Sequence, residues 1–223
     1  MDELNQLENA IAKAGYNDIR PEAIRELDRY CQILWDWNTK INLTRHTTYE
    51  LFVERDLLDS MELSKVIAHG ERVLDVGTGG GVPGILLAIL RPDIQVALCD
   101  SVAKKAKVTE SIVQSLGMSV PVFANRAQDL LSDFRYDSLV ARAVGPLPKL
   151  CTWFREYWGD FGRLLAIKGP RWVEERGEAR HRGLMKGVEL RRLSSYSSPT
   201  TGAQSFILQL RQAPLNAKTV EED

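Results

Sequence analysis

The chain has 223 residues, 44% of them hydrophobic and 26% charged, with a formal net charge of −1. That length and balance suit one globular domain with a small appendage, and the net charge does not by itself suggest a nucleic-acid binder. No run of about eighteen apolar residues is present, which excludes a helical membrane span, and the acidic opening Met1-Asp2-Glu3-Leu4 does not read as a secretory signal.

Three widely spaced cysteines, Cys31, Cys99 and Cys151, form neither a disulfide framework nor a zinc pattern. A reducing, cytoplasmic setting is the natural inference. Charge is unevenly spread. Residues 1–66 carry eight Lys/Arg against thirteen Asp/Glu, whereas residues 163–192 carry nine against four. The second segment reads either as a local basic face or as a solvated Arg/Glu helix.

In chain order, helices are expected at 2–14 and 21–38. Pro21 suits a first helical turn, and Ile24, Leu27, Tyr30, Cys31, Leu34 and Trp35 make one apolar face. After a polar stretch, residues 49–68 return to helical spacing, so residues 1–66 read as an N-terminal helical subdomain. From residue 70 the pattern alternates. Strands are expected at 72–76, 94–99, 120–124, 137–141, 162–167, 188–196 and 204–210, with helices at 83–90, 103–116, 147–158 and 170–182. This alternation predicts an α/β fold, a doubly wound and mostly parallel sheet over residues 67–213. The last two strands follow one another directly, which predicts a hairpin with an antiparallel strand at one sheet edge. Residues 214–223 are expected to be a disordered tail.

The stretch Arg72 to Gly84 constrains chemistry most. A short apolar strand breaks into five glycines within residues 77–84, and an apolar helix follows. Strand, glycine loop and helix together form a cradle for a nucleotide-containing cofactor, because glycine lets the backbone approach a ligand closely. Gly77 and Gly79 sit at its centre. Gly79, Gly81 and Gly84 satisfy the dinucleotide spacing G-x-G-x-x-G, but Asp75 argues otherwise. A carboxylate beside this turn repels a pyrophosphate and attracts the sulfonium and ammonium of S-adenosylmethionine. It could also simply bind loop amides.

The other turns at the carboxyl edge follow the same logic. Asp100 ends the second strand, where it could accept from ribose hydroxyls or cap the next helix. In Arg126-Ala127-Gln128-Asp129, Gln128 and the Ala127 amide could meet an adenine edge. Arg142, flanked by Ala141 and Ala143, could hold a phosphate or a base, or make a plain salt bridge. Lys168 would suit an anionic substrate such as RNA, or be a solvated strand-end lysine. No Asn/Asp-Pro-Pro-aromatic turn of exocyclic-amine methylation is present. The cysteines lack a supporting acid, and His46, His69 and His181 show no ligand spacing, so neither a catalytic cysteine nor a metal site is expected.

Taken in order, these marks resemble one family. They are Trp37-Asn38-x-x-Ile41-Asn42-Leu43-Thr44, Arg55-x-x-x-Asp59-Ser60, the Asp75–Gly84 loop, Asp100-Ser101, Arg126, Arg142-Ala143 and Lys168-Gly169. The family is the bacterial small-subunit ribosomal RNA guanine-N7 methyltransferase G, also called glucose-inhibited division protein B. The resemblance implies a Rossmann-like class I methyltransferase domain behind a small helical extension. It implies S-adenosylmethionine contacts at Gly77, Val82, Ala127, Gln128 and Arg142, with Asp100 near the ribose. It implies methylation of a guanine N7 in 16S rRNA, as free RNA or in a small-subunit precursor. Separately, a monomer is expected. Candidates for contact with that RNA are Asn38, Asn42, Arg142, Lys168 and Arg171.

Three features depart from the family pattern: Asp56 stands where a histidine is expected, Gln128 where glutamate is common, and the 170–187 segment is unusually rich in Arg and Glu. Guanine N7 has no proton to lose, so no general base is assigned. Arg142→Ala is expected to abolish transfer with the thermal transition roughly in place. The competing readings are a small-molecule methyltransferase, a non-catalytic rRNA-binding assembly factor and an NAD-dependent oxidoreductase.

Overall fold

The computed structural model describes residues 3–214. The N-terminal helices are α1 (Glu3–Lys13), α2 (Pro21–Asn38), α3 (Tyr49–Leu51) and α4 (Leu58–Ser64), the last two joined by a π-helical stretch at Phe52–Leu57. The strands are β1 (Arg72–Val76), β2 (Gln95–Cys99), β3 (Val122–Phe123), β4 (Tyr136–Arg142), β5 (Phe161–Lys168), β6 (Val188–Ser197) and β7 (Gln204–Gln212). Between them run α5 (Gly84–Leu90), α6 (Ala103–Leu116), α7 (Ala127–Leu130), α8 (Leu147–Trp153) and α9 (Trp172–His181).

One seven-stranded sheet has the order β3-β2-β1-β4-β5-β7-β6. β1 to β5 pair in parallel, and β7 is antiparallel to both β5 and β6. The chain therefore steps outward from β1 to β3 and then crosses to β4 on the other side. That reversal opens a crevice at the carboxyl ends of β1 and β4, where doubly wound folds bind ligands.

Strand parity divides the interior. Val73, Val140, Leu165 and Ile207 face one side, where they pack with α5, α6 and the N-terminal helices. Leu74, Leu139, Leu164 and Leu208 face the other, against α7, α8, Phe154, Trp158 and Trp172. The N-terminal helices thus share one continuous core with the sheet. α2 buries Ala23, Leu27, Tyr30, Cys31 and Leu34, the stripe its three- and four-residue spacing foretells.

Three elements differ from the sequence expectation. The expected helix 147–158 stops at Trp153, and α7 was read only as a turn. In the C-terminal hairpin the antiparallel strand lies inside the sheet, while β6 takes the edge. The reason is composition: β7 buries Phe206 to Leu210 without interruption, whereas β6 exposes Arg191, Arg192 and Leu193. The expected tail beyond Pro214 lies outside the described residues.

Candidate functional site: a three-part cleft at the strand ends

Backbone and carboxylates hold the glycine loop from both sides. Asp75 is 1% exposed, and its Oδ2 accepts from Thr78 Oγ1 at 2.7 Å and from the Gly84 amide at 2.9 Å. Its Oδ1 is buried without a partner. Burial pushes the Asp75 carboxyl up to about 6, with the Thr78 and Gly84 hydrogen bonds opposing. A Cβ at Gly84 would sit 2.2 Å from Leu98 Cδ2 and 2.8 Å from Asp75 Oδ2, so only glycine lets α5 begin this close to β2.

Asp100 is tied equally closely: Oδ2 accepts from the Gly79 amide at 3.1 Å and Oδ1 from the Val102 amide at 2.9 Å. Both Asp100 roles offered by the sequence are therefore compatible. One oxygen caps the entry to α6 while the other carries the loop, and each retains a lone pair. Two further hydroxyls complete the cradle. Tyr30, fully buried on α2, donates to the Gly80 carbonyl at 2.9 Å, and Thr109 on α6 donates to the Gly79 carbonyl at 2.6 Å.

Three cavities follow one another along this edge. A cleft of about 330 Å³ is lined by Gly77, Cys99, Ser101, Ala127, Gln128 and Trp153, among others. Gly77 also lines a central cavity of about 150 Å³, with Tyr30, Thr44, Val82, Arg142 and Ala143. Arg142 and Ala143 in turn line a third cavity of about 410 Å³, with Asp59, Lys168, Arg171, Glu175 and Ser205. Gly77 takes φ +69°, and a Cβ there would press on the Val144 side chain at 3.2 Å. The seam between the last two cavities is also strained, because Ala143 takes φ +56° without being glycine.

Arg142 projects into that seam, but as a caged cation. Its Nη2 lies 2.6 Å from Asp56 Oδ1 and its Nη1 3.2 Å from Asp59 Oδ2. Burial works against the guanidinium charge, yet Asp56 and Asp59 more than offset it and raise its pKa. For Asp59, burial outweighs the pairing with Arg142 and Tyr196 and raises the carboxyl pKa. Asp59 Oδ1 accepts from Tyr196 OH at 2.7 Å, and His46 Nδ1 lies 2.9 Å from Asp56 Oδ1. A chain of polar groups thus links the N-terminal helices through β4 to β6.

The sequence-derived residues fall into place unequally. Gly77, Val82, Ala127, Gln128 and Arg142 line the first two cavities, and Asp100 and Gly79 brace the loop between them. Asp75 requires a correction. Residue 75 has the parity of Val73, so its carboxylate turns toward α5 and holds the loop instead of lining a cavity. Lys168 is likewise no free cation: its Nζ pairs with Glu175 Oε2 at 2.7 Å and donates to the Gly145 carbonyl at 2.9 Å. Asn38 spends its Oδ1 on the Leu43 and Thr44 amides, shaping a cavity wall, while Asn42 and Arg171 are exposed.

Sequence reasoning missed Tyr30, Thr109, Tyr196, Glu175, Trp153 and the Asp56–Asp59 pair. One available signal was the three-residue spacing of Asp56 and Asp59, which puts two carboxylates on one helical face. All three cysteines are buried, and burial raises Cys99 to about 12, Cys151 to about 11 and Cys31 well above its ordinary value.

The residues fit a cofactor of nucleoside size carrying a cationic centre. A glycine cradle braced by Asp100 lies at the switch point of a β3-β2-β1-β4-β5-β7-β6 sheet. Fold and site define a class I methyltransferase that uses S-adenosylmethionine. The O-methyltransferase from Bacillus cereus, solved in complex with SAH, has the same fold: it superposes with a TM-score of 0.56 at 16% identity, covering 92% of this chain and all of that one.

The chain belongs to the rRNA small subunit methyltransferase G family, whose profile matches residues 23–203. It is similar to the ribosomal RNA small subunit methyltransferase G of Rhodopirellula baltica, at 58% identity over 76% of this chain and 74% of that one. The Chromobacterium violaceum protein of the same name is 37% identical over 76% of this chain and 81% of that one.

Proposed function

We propose that this protein methylates N7 of a guanine in 16S rRNA, as free RNA or within an assembling small subunit, in the bacterial cytoplasm. The observation that carries the proposal is a run of three cavities along one edge: those of about 330 and 150 Å³ share Gly77, and one of about 410 Å³ shares Arg142 and Ala143 with the second. Membership of the family supports rRNA as the substrate.

When bound, S-adenosylmethionine supplies an electrophilic methyl group. Ala127 and Gln128 would border its adenine end, Asp100 its ribose, and Gly77, Val82 and Arg142 its methionine end. Guanine N7 offers a lone pair in the plane of the ring and carries no proton. The side chains at the seam therefore need to align the base at about 3–3.5 Å from the methyl group and need not remove a proton. Methylation leaves the purine cationic. Arg142 with Asp56 and Asp59 carries one surplus negative charge at the seam, which opposes no such product. Arg142 then acts as the strut that keeps two carboxylates and the strained Ala143 in place.

The test is to map N7-methylguanosine in rRNA from cells with and without this protein, alongside labelled methyl transfer to 16S rRNA by the purified chain. One modified guanine that vanishes with the protein is expected. An unchanged map, or no binding of S-adenosylmethionine by calorimetry, would overturn the proposal.

A further inference from the structure

The cleft offers few free cations to a polyanion. Four line its cavities: Arg142 and Lys168 are spent on Asp56, Asp59 and Glu175, Arg171 pairs with Glu174 at 3.3 Å, and Arg126 is exposed. RNA affinity comes largely from cations that neutralise phosphates. Arg126 and Arg171 supply only part of that, so further cations are needed outside the cleft.

Helix α9 leads from the cleft to such a place. Its start, at Arg171 and Glu175, lines the acceptor cavity. Its end opens on a second groove of about 620 Å³, lined by Arg180, Lys186 and Arg191, with Glu189 the one carboxylate in that lining. The ten residues of α9 span roughly 15 Å. Arg180 and Lys186 are exposed and have no carboxylate partner among the described residues, while Glu189 is shared between Arg191 at 3.6 Å and Arg211 at 3.0 Å.

Two ordinary explanations account for part of this charge. Basic residues in the last turn of α9 suit the helix dipole, but Lys186 and Arg191 lie beyond the helix. Charges on the edge strand β6 discourage edge pairing, but either sign would serve there, and the segment's surplus is one-sided.

We propose that the groove between the end of α9 and β6 is the docking surface for the RNA backbone flanking the methylated nucleotide. The groove holds phosphates, and the cleft receives the base. The proposal rests on the reading of this chain as an rRNA methyltransferase.

The experiment measures binding of 16S rRNA by anisotropy, and methyl-transfer kinetics, each across a salt series. It compares the wild type with R180Q/K186Q/R191Q and with a control, K104Q/K105Q/K107Q, which removes three lysines from α6. In the groove variant, Kd and KM should rise about tenfold with kcat unchanged, and the slope of log affinity against log salt should become shallower by about two. The control should match the wild type. Lys186→Glu alone should shift Kd in the same direction, and thermal midpoints check that all variants fold. Unchanged Kd and slope in the groove variant, an equal effect in the control, or a fall in kcat alone would overturn the docking surface. Absent transfer by the wild type would instead overturn the methyltransferase reading, with the binding comparison still deciding the groove.

Discussion

The two halves of the cleft hold their carboxylates by different means. On the β1–β2 side, Asp75 and Asp100 are fixed chiefly by backbone amides of the glycine loop and the helix entries. On the β4–β5 side, Asp56, Asp59 and Glu175 are fixed chiefly by the side chains of Arg142, His46, Lys168 and Tyr196, with the Leu147 amide also donating to Glu175. Backbone-held groups depend on local chain geometry, and so on glycines. Side-chain-held groups depend on residues far apart in sequence, and couple the N-terminal helices to the sheet.

The largest effect is expected where the β4–β5 side loses its cation. Arg142→Ala takes the shared guanidinium from Asp56 and Asp59 and leaves them only His46 and Tyr196, which should lower stability by about 3–5 kcal/mol, read by denaturant unfolding. This corrects the sequence-based expectation of an unchanged thermal transition: the side chain is only 18% exposed and braces two carboxylates. The double variant R142M/D59N should recover part of the stability but none of the activity. An Arg142→Ala protein with wild-type stability would break the distinction between the two halves.

On the other side, the pH dependence of stability isolates Asp75. Its pKa is raised from 3.8 to about 6, so its ionisation is penalised in the folded state. Sign follows: the contribution is fully present below pH ~4 and is lost as pH rises toward ~6, by at most about 3 kcal/mol. The difference between the unfolding free energies of the wild type and Asp75→Asn should therefore change across this window and be flat above it.

Gly84→Ala should cost about 1–3 kcal/mol and weaken cofactor binding in calorimetry, since the new methyl would meet Leu98 and Asp75. Gly117→Ala serves as the comparison: it has open space around its Cβ position but φ +71°, so it should lose stability without losing cofactor affinity. The smallest effect is expected for Tyr30→Phe, which removes one buried hydrogen bond to Gly80 and should cost about 1 kcal/mol. A severalfold loss of cofactor affinity would show that α2 tunes the loop; unchanged affinity would show that Asp75 and Asp100 hold it alone.

Much of this was legible in the sequence because it is local. Periodicity located the helices and strands to within a few residues, and the break from β1 into the glycine loop marked the cradle. Asp100, Gln128 and Arg142 were placed at the correct edge because each follows a strand. What escaped was set by partners remote in the chain. Arg142 meets Asp59 across 83 residues, and Tyr196 meets Asp59 across 137. The Asp75 carboxylate was placed on the correct strand but turned to the wrong side, because which face of a strand meets which helices emerges only when the sheet is packed.

The sequence by itself determined the strand–loop–helix cradle, the α/β alternation and, through its ordered motifs, the family. These depend on backbone freedom and on hydrophobic spacing of two or three to four residues. Tertiary structure alone decided that Arg142 and Lys168 are caged, and that Arg180, Lys186 and Arg191 line one groove beyond α9. The physical reason is that a residue's charge is written in its identity, but whether the charge is free or spent depends on which distant side chain folding brings within about 3 Å of it.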